Sequence, residues 1–180
     1  MILFLQSSAN LSTCYSYIGI ALRASLRMGL HRNLTGSFNP IEIETRRRVF
    51  WIVRKMDTYV SALLGFPHML SNDDIDQELP LEVDDEFITK DGVGTMPPGR
   101  TSIYAASNAH TQLMEILAKV VKHIYPTKGH IEKSPKGTTT TPYMISYAKI
   151  QDIERDLSDW YNRLPMALRP GGDTALELLR

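Results

Sequence analysis

The 180-residue chain has the length of one domain, or of a large part of one, and can form a hydrophobic core. Twenty basic residues balance twenty acidic ones, so the composition does not suggest the clustered positive charge that binds nucleic-acid phosphates. No run approaches the roughly 20 apolar residues that span a bilayer, and the apolar start lacks the basic lead-in of a secretory signal. Cys14 is the only cysteine, which excludes an internal disulfide or a thiolate zinc site and favours a reducing compartment.

The first predicted helix covers residues 12–30. Five apolar residues recur there at three- and four-residue steps, which places them on one face: Leu11, Tyr15, Ile18, Leu22 and Leu26. Gly29 lies near the end of this helix, where a residue in the left-handed conformation commonly closes the last turn.

The second predicted helix begins after Asn39 and stops near residues 65–67. Asn39 suits the N-cap, Pro40 the first helical position, and Glu42 the acid of a capping box. Its apolar stripe comprises Phe50, Val53, Val60 and Leu64, with Trp51 and Met56 beside it.

Three consecutive arginines occupy positions 46–48 of this helix. Consecutive helical residues splay by about 100°, so these arginines cannot form one stripe along a nucleic-acid groove. Glu42 and Glu44 precede Arg46 and Arg48 by four residues, a spacing that allows ion pairs on a helix surface. We interpret the run as a solvated, ion-paired face; the alternative is an arginine that turns inward to a carboxylate.

Asp57 falls on the apolar stripe of the second helix, between two of its valines. A lone buried carboxylate is costly, so we expect Asp57 to pair with a base or with backbone donors. Arg23, Arg27 and Arg47 are the candidate bases, and the sequence does not rank them.

Residues 67–100 contain no convincing periodicity and hold three acidic clusters between residues 73 and 86. A long ordered connection is usually functional or laid over a core. We therefore expect the acidic stretch at 73–86 to pack against the second helix and to act as a movable element.

Two further helices are predicted, and no strand. The third covers residues 102–125, and one face carries Ala106, Leu113, Leu117, Val120 and Ile124. His110 falls on this face and is expected to be a hydrogen-bonded core residue. The fourth covers residues 143–164, with an apolar stripe of Tyr147, Ile150, Ile153, Leu157, Trp160 and Leu164.

Residues 126–142 are polar and rich in threonine, glycine and proline, and are predicted to be a flexible loop. Residues 1–6 are similar to the tail of an earlier helix, and residues 174–180 to the head of a later one. We expect the chain to be a segment of a longer, truncated domain.

The acidic residues do not match a metal motif. In isoprenoid synthases the magnesium-binding acids occupy positions one, two and five of a helical motif; Asp73 and Asp74 would supply two, but the fifth position is Gln77. An EF-hand would require a glycine at the sharp turn. The histidines show no paired ligand spacing, and no nucleophile motif or phosphate-binding glycine loop occurs. These patterns predict no enzyme, and no catalytic residue, metal or cofactor in this chain.

Five motifs occur in an order and spacing that resemble one protein family: ALRASLRMGLHR (21–32), EIETRRRVFW (42–51), LGFP (64–67), DIDQELP (74–80) and WYNRLP (160–165). The set is similar to the fungal-specific transcription factor domain, the middle homology region of zinc binuclear cluster regulators. The resemblance covers about residues 11–165 and is most specific over 21–85. The chain departs from the family pattern at Phe66, where an arginine is usual.

The predicted fold is an all-α, irregular multi-helix bundle with long loops, and the resemblance makes residues 1–180 a partial regulatory domain. The family implies regulation of RNA polymerase II transcription in the nucleus. Its partners would be proteins of the transcription machinery, the protein itself or a small-molecule effector, with no membrane. Full-length members carry a cysteine-rich module that binds two zinc ions and reads DNA; those cysteines are absent here, so zinc and DNA contact are expected outside this chain.

The resemblance and the stripe analysis together select eight candidate structural or regulatory residues: Arg47, Trp51, Asp57, Gly65, Pro67, Asp74, Asp76 and Asp85. We expect them to serve architecture and control. Two alternatives stay open. One is an all-helical, metal-dependent enzyme of the prenyl-transferring type, and the other is a helical protein-interaction module unrelated to transcription.

Overall fold

The computed structural model describes residues 10–34, 36, 38–125 and 146–169, and over these residues the fold is all-α, as predicted. The helices are α1 (Leu11–Arg27), α2 (Pro40–Leu64), α3 (Ile103–Ile124) and α4 (Tyr147–Arg163). Short 3-10 turns lie at Asn72–Asp74, Asp85–Phe87 and Met166–Leu168. α2 packs against both α1 and α3, and α3 packs against both α2 and α4. No helix in the described ranges is long and apolar enough to cross a membrane.

Several predicted segments lie outside the described residues. They are the terminal helix fragments at 1–6 and 174–180, the loop at 126–142, and the start of the fourth helix at residue 143. The described part of the fourth helix begins at Tyr147, and the other predicted helices begin and end within about three residues of their observed bounds.

The ends of α1 and α2 follow from local chemistry. Gly29 has φ +66°, and the Leu30 amide donates to the Ser25 carbonyl at 3.0 Å, which closes α1 as predicted. At the start of α2, the Asn39 side chain accepts from the Glu42 amide and the Glu42 carboxylate accepts from the Asn39 amide, so the predicted capping box is confirmed.

α2 ends by the same device as α1. Gly65 has φ +69°, and the Phe66 amide donates to the Ser61 carbonyl at 2.9 Å. A side chain with a Cβ rarely adopts this conformation, so the glycine allows the chain to leave the helix here.

The core lies mainly between α1 and α2. One cluster of buried residues comprises Leu22, Leu30, Phe50, Trp51 and Leu70, and a second comprises Cys14, Ile18 and Val60. Tyr15, Leu26, Val53 and Leu64 are partly buried against these clusters. The predicted stripes of the first two helices are therefore confirmed as the faces that meet.

The prediction for α3 is wrong in its register. The buried positions are Ala105, Asn108, Thr111, Met114 and Ile116, whereas the predicted face is only half-buried. His110 is exposed and is not a core residue. The inward face of α3 meets polar groups of α2. One of them is Lys55, whose ammonium donates to the Ser107 hydroxyl at 2.8 Å. A search for apolar periodicity therefore cannot identify the inward face of α3.

α4 is the least covered helix. Ile153 is its buried residue and Leu164 is buried just after its end, while Tyr147 is 72% exposed and Leu157 is 39% exposed. The Trp160 indole donates to the Ala109 carbonyl at 2.8 Å and joins α4 to α3. The predicted stripe is thus correct at Ile153 and Leu164 and wrong for its two most exposed members.

Candidate functional site

α2 buries most of its charged side chains. Its buried polar and charged residues are Glu44, Arg47, Arg54, Lys55, Asp57, Thr58 and Ser61. Arg47 is only 7% exposed, so the interpretation of the arginine run as a solvated face is wrong and the inward-turning alternative is correct for this residue. Buried charges require partners, and the partners identify the site.

Only one of the two predicted four-residue pairs forms. Glu44 pairs with Arg48 at 2.8 Å. Glu42 instead serves the capping box, and Arg46 donates to the carbonyls of Met28 and Gly29. The Arg46 guanidinium also lies 4.4 Å from the centre of the Phe38 ring, so it fixes the turn between α1 and α2.

The buried charges of α2 hold the connection between α2 and α3, residues 65–102, which we name the strap. The strap carries nine acidic and two basic residues, whereas residues 10–64 carry eight basic and three acidic residues. An acidic segment therefore lies on a basic helical hairpin. This charge complementarity favours the attached position of the strap.

Glu44 and Arg48 bind the middle of the strap. Both carboxylate oxygens of Glu44 accept from the Leu81 amide, at 3.1 and 3.2 Å. Arg48 pairs with Asp85, and its guanidinium lies 3.5 Å from the centre of the Tyr104 ring at the start of α3. Burial tends to lower the pKa of Arg48, but the carboxylates of Asp85 and Glu44 outweigh it and the pKa is raised.

Arg47 and Trp51 converge on one strap residue, Glu78. The Trp51 indole donates to the Glu78 carbonyl at 2.8 Å, and the Arg47 guanidinium pairs with the Glu78 carboxylate. The side-chain amide of Asn33 also donates to that carboxylate at 3.3 Å. Two of the candidate residues thus act on the same point of the strap.

Asp57 anchors the first part of the strap. It is fully buried, and one carboxylate oxygen accepts from the Met69 amide at 2.9 Å. The expectation of a buried, partnered carboxylate is confirmed, but its base is Arg54 at 3.6 Å, not one of the three arginines proposed from the sequence. Burial raises the pKa of Asp57, although the Met69 amide and Arg54 oppose the rise.

Arg54 extends this anchor, because it also donates to the Asn72 side chain at 3.2 Å. Its guanidinium makes a 2.7 Å hydrogen bond with the Thr58 hydroxyl. Burial lowers the pKa of Arg54, and Asp57 partly offsets the effect. Arg54 is a site residue that sequence reasoning missed; its position three residues before Asp57 is the signal that could have found it.

Two polar side chains hold the strap from the sides. Gln77 is buried and donates to the carbonyls of Leu30 and Arg32, at 2.8 and 3.0 Å. Asn108 of α3 donates to the Pro80 carbonyl at 2.8 Å. Sequence reasoning missed both, because a lone Gln in a loop and a lone Asn on a helix carry no pattern.

The remaining candidates lie on the surface of the strap. Gly65 and Pro67 form the exposed corner after α2, and the intervening Phe66 packs edge-on against Tyr15, with ring centres 5.3 Å apart. The Asp74 carboxylate accepts from the Ser71 amide at 3.2 Å. Asp76 has an exposed side chain, and its amide donates to the His31 carbonyl at 3.0 Å. The contacts therefore unite Arg47 and Trp51 but leave these four residues apart.

The positions of the acidic residues do not fit a metal-binding site. Asp73 and Asp74 are exposed in the 3-10 turn at Asn72–Asp74, so the helical setting of the prenyl-transfer motif is not present there. Within the described ranges, no three His, Cys, Asp or Glu side chains form a group that could hold a metal ion. The paired zinc ions of the family do not fit this chain, which has a single, buried cysteine.

Comparison with known proteins defines the class. The family model described as "Fungal specific transcription factor domain" matches residues 1–162. The chain belongs to this family. No solved structure matches it.

Most of the chain aligns with curated relatives. It is 44% identical to "Activator of stress genes protein 1" of Candida albicans, over 94% of this chain and 18% of the relative. It is 41% identical to "Activator of stress genes 1" of Saccharomyces cerevisiae, over 96% of this chain and 17% of the relative. It is 33% identical to "Transcriptional activator protein acu-15" of Neurospora crassa, over 85% of this chain and 15% of the relative. The chain therefore spans about a sixth of the length of these relatives.

Proposed function

We propose that this chain is a regulatory segment of a fungal RNA polymerase II transcription factor, and that the strap is its movable element. It acts in the nucleus, without catalysis, by changing its contacts with proteins of the transcription machinery or with other parts of the protein that contains it. DNA contact and zinc binding belong to a separate cysteine-rich module. The names of the relatives, which are activators, support this assignment.

The contacts between α2 and the strap support the proposal. The strap is joined to α2 through side chains at separate points, among them Glu44 with Leu81, Trp51 with Glu78 and Asp57 with Met69. Leu70 of the strap lies in the core, and Ile75 and Leu79 pack against it, so the part of the strap that can be released is the part after Leu79, which Glu44 and Arg48 hold by polar contacts. An effector or partner that binds the released strap would shift the balance between attached and released states.

The acidic partners in two of these ion pairs are exposed to solvent. Side chains of Glu78 and Asp85 are 60% and 81% exposed, whereas their partners Arg47 and Arg48 are 8% and 14% exposed. Glutamine and asparagine keep an oxygen acceptor for each guanidinium but remove the negative charge. Replacing the two acids by their amides should therefore weaken the attachment of the strap without unfolding the core.

The test places the full 180-residue chain between a heterologous DNA-binding module and an activation segment and measures reporter output. The double variant Glu78→Gln, Asp85→Asn should change output at least threefold at unchanged protein level and DNA occupancy. Asp73→Asn is the matched control, since Asp73 is an exposed acid of the same strap. Equal output from the double variant, the control and the parent protein would refute a switching role for the strap.

A further inference from the structure

Residues 77–83 of the strap have an unusual pattern of hydrogen bonds. None of them lies in a helix or a strand, and within the described part of the chain their amides and carbonyls make no hydrogen bond to another backbone group. Backbone–backbone pairs are the commonest hydrogen bonds in folded proteins. The backbone of this stretch is instead bound by side chains of α2 and α3. An extended peptide on the surface of a receptor is bound in the same way.

The part after Leu79, residues 80–85, is named the resident segment, and two side chains of α2 bind it. Glu44 accepts from the Leu81 amide with both carboxylate oxygens. Arg48 donates to the Val83 carbonyl at 3.3 Å and pairs with the carboxylate at position 85. These two side chains therefore bind an amide, a carbonyl and an acid of one short segment.

Asn108 binds the resident segment from α3. Its side-chain amide donates to the Pro80 carbonyl at 2.8 Å and to the Glu82 carboxylate at 3.2 Å. Asn108 is only 5% exposed. If the resident segment left, this amide would lose both acceptors, which is costly for a buried donor. The vacated position would therefore favour another carbonyl.

The side chains of this cleft also hold one another in place. Glu44 and Arg48 pair at 2.8 Å, and the Arg48 guanidinium lies 3.5 Å from the centre of the Tyr104 ring. Neither contact involves the resident segment. A cleft whose donors and acceptors are already oriented loses less conformational entropy when a peptide binds.

We infer that Glu44, Arg48 and Asn108 form a recognition site for an extended acidic peptide of another polypeptide, and that the resident segment occupies this site in the free protein. The ligand presents a carbonyl, the amide of the next residue and a carboxylate four residues after that amide. The inference rests on the proposed release of the strap, because the resident segment must detach before a second peptide can bind.

The covalent connection of the resident segment makes it a strong competitor. Its effective concentration at the cleft is on the order of millimolar, as for other short intramolecular connections. A short outside peptide therefore binds the parent protein weakly, and it binds more tightly when the contacts of the resident segment are weakened.

The test uses the full 180-residue chain and a labelled synthetic peptide with the sequence of residues 80–87, PLEVDDEF. In the variant Glu82→Lys, Asp85→Lys, lysine repels Arg48 and the resident segment should detach, while the side chains of the cleft are unchanged. Fluorescence anisotropy should show that this variant binds the peptide at least tenfold more tightly than the parent does.

The matched control is Asp73→Lys, Asp91→Lys. It makes the same change in net charge at two exposed acids of the strap that lie outside the resident segment. It should bind the peptide no more than twofold more tightly than the parent. Equal peptide binding by the control and by Glu82→Lys, Asp85→Lys would overturn the inference, since charge alone would then explain the binding.

Two altered peptides test which groups are recognised. A methyl group on the nitrogen that corresponds to the Leu81 amide removes the donor to Glu44, and it should weaken binding at least tenfold. Asparagine at the position of Asp85 removes the partner of Arg48, and it should weaken binding at least threefold. Binding that neither alteration weakens would also overturn the inference.

Hydrogen exchange at the Leu81 amide separates this inference from the proposed release of the strap. If the amide exchanges at least tenfold faster in Glu82→Lys, Asp85→Lys and the peptide still does not bind, the inference fails while a movable strap remains. If the amide stays protected and no peptide binds, both fail. Sedimentation of the parent as a dimer that this variant disperses would assign the cleft to the strap of a second copy and would overturn the inference as well.

Discussion

The α1–α2 hairpin and the α3–α4 pair are both built from amphipathic helices, yet they differ in how much of the apolar face is covered. α1 and α4 each have 17 residues; five of them are buried in α1 and one in α4. The difference arises because α1 meets α2 and the strap, whereas α4 contacts mainly α3. An amphipathic pattern therefore shows which face can be buried, and the neighbouring elements decide how far it is.

The largest test of this difference is Phe50→Ala. Phe50 is fully buried in the α1–α2 core, and deleting its ring should lower the free energy of unfolding by about 4 kcal/mol. Leu157→Ala on α4 is the comparison, and because Leu157 is 39% exposed it should cost less than about 1 kcal/mol. Urea denaturation of the full chain measures both. Equal losses would show that the two helix pairs are equally packed.

The next effect is expected at Asp57. Asp57→Ala leaves the Met69 amide without its acceptor and the buried Arg54 without its ion-pair partner, and it should cost about 3 kcal/mol. Asp73→Ala removes an exposed acid and should change stability by less than about 0.5 kcal/mol. A thermal melt that Asp57→Ala leaves unchanged would mean that Asp57 faces water and that the strap has no anchor there.

The two tryptophans allow a smaller, matched comparison. Trp51 and Trp160 each donate an indole hydrogen bond of 2.8 Å to a backbone carbonyl, one in each helix pair. Trp51→Phe should cost about 1.5 kcal/mol, since the Glu78 carbonyl loses its donor in a buried setting. Trp160→Phe should cost about 0.5 kcal/mol, because water can replace the donor at the half-buried site. Denaturant midpoints that rank the two in the opposite order would contradict this account.

The smallest expected effect is a pH dependence. Burial raises the pKa of Asp57, so the folded chain binds this proton at a higher pH than the unfolded chain does. The contribution of Asp57 to stability therefore increases as the pH falls from neutral toward the ordinary value of 3.8. Asparagine does not titrate, so it gives the variant no such gain. The unfolding free energy of the parent minus that of Asp57→Asn should therefore increase as the pH falls through this window.

The titration of His68 changes stability with pH in the direction opposite to that of Asp57, so its effect must be separated from that of Asp57. Burial lowers the pKa of His68, so its contribution to stability is lost as the pH falls below 6.5. Asp57 raises the pKa of His68, so Asp57→Asn also changes the titration of His68. Both proteins are therefore compared in a His68→Asn background, where only the titration of Asp57 differs. A difference that stays constant between pH 7 and pH 4 would show that Asp57 keeps an ordinary pKa.

The candidate site was predictable only in part. Asp57 could be expected to be buried and partnered because it interrupts an apolar stripe, and the selection of Arg47 and Trp51 as candidates followed from the resemblance to a family. Their targets could not be expected, since Glu78 lies 31 and 27 residues further along an aperiodic segment. The roles of Gln77 and Asn108 depend on contacts across 47 and 28 residues, for which the sequence carries no periodic signal.

The sequence by itself determined the helices, their caps and the α1–α2 core. Asn39 with Glu42, Gly29 and Gly65 act through neighbours within five residues, and local chemistry of this kind is readable in a linear chain. Only the tertiary structure decided that the charged side of α2 is the inner one and that part of its apolar pattern faces outward. The reason is that the partners of Glu44 and Arg48 come from the strap, which becomes their neighbour only when the chain folds back on the helix.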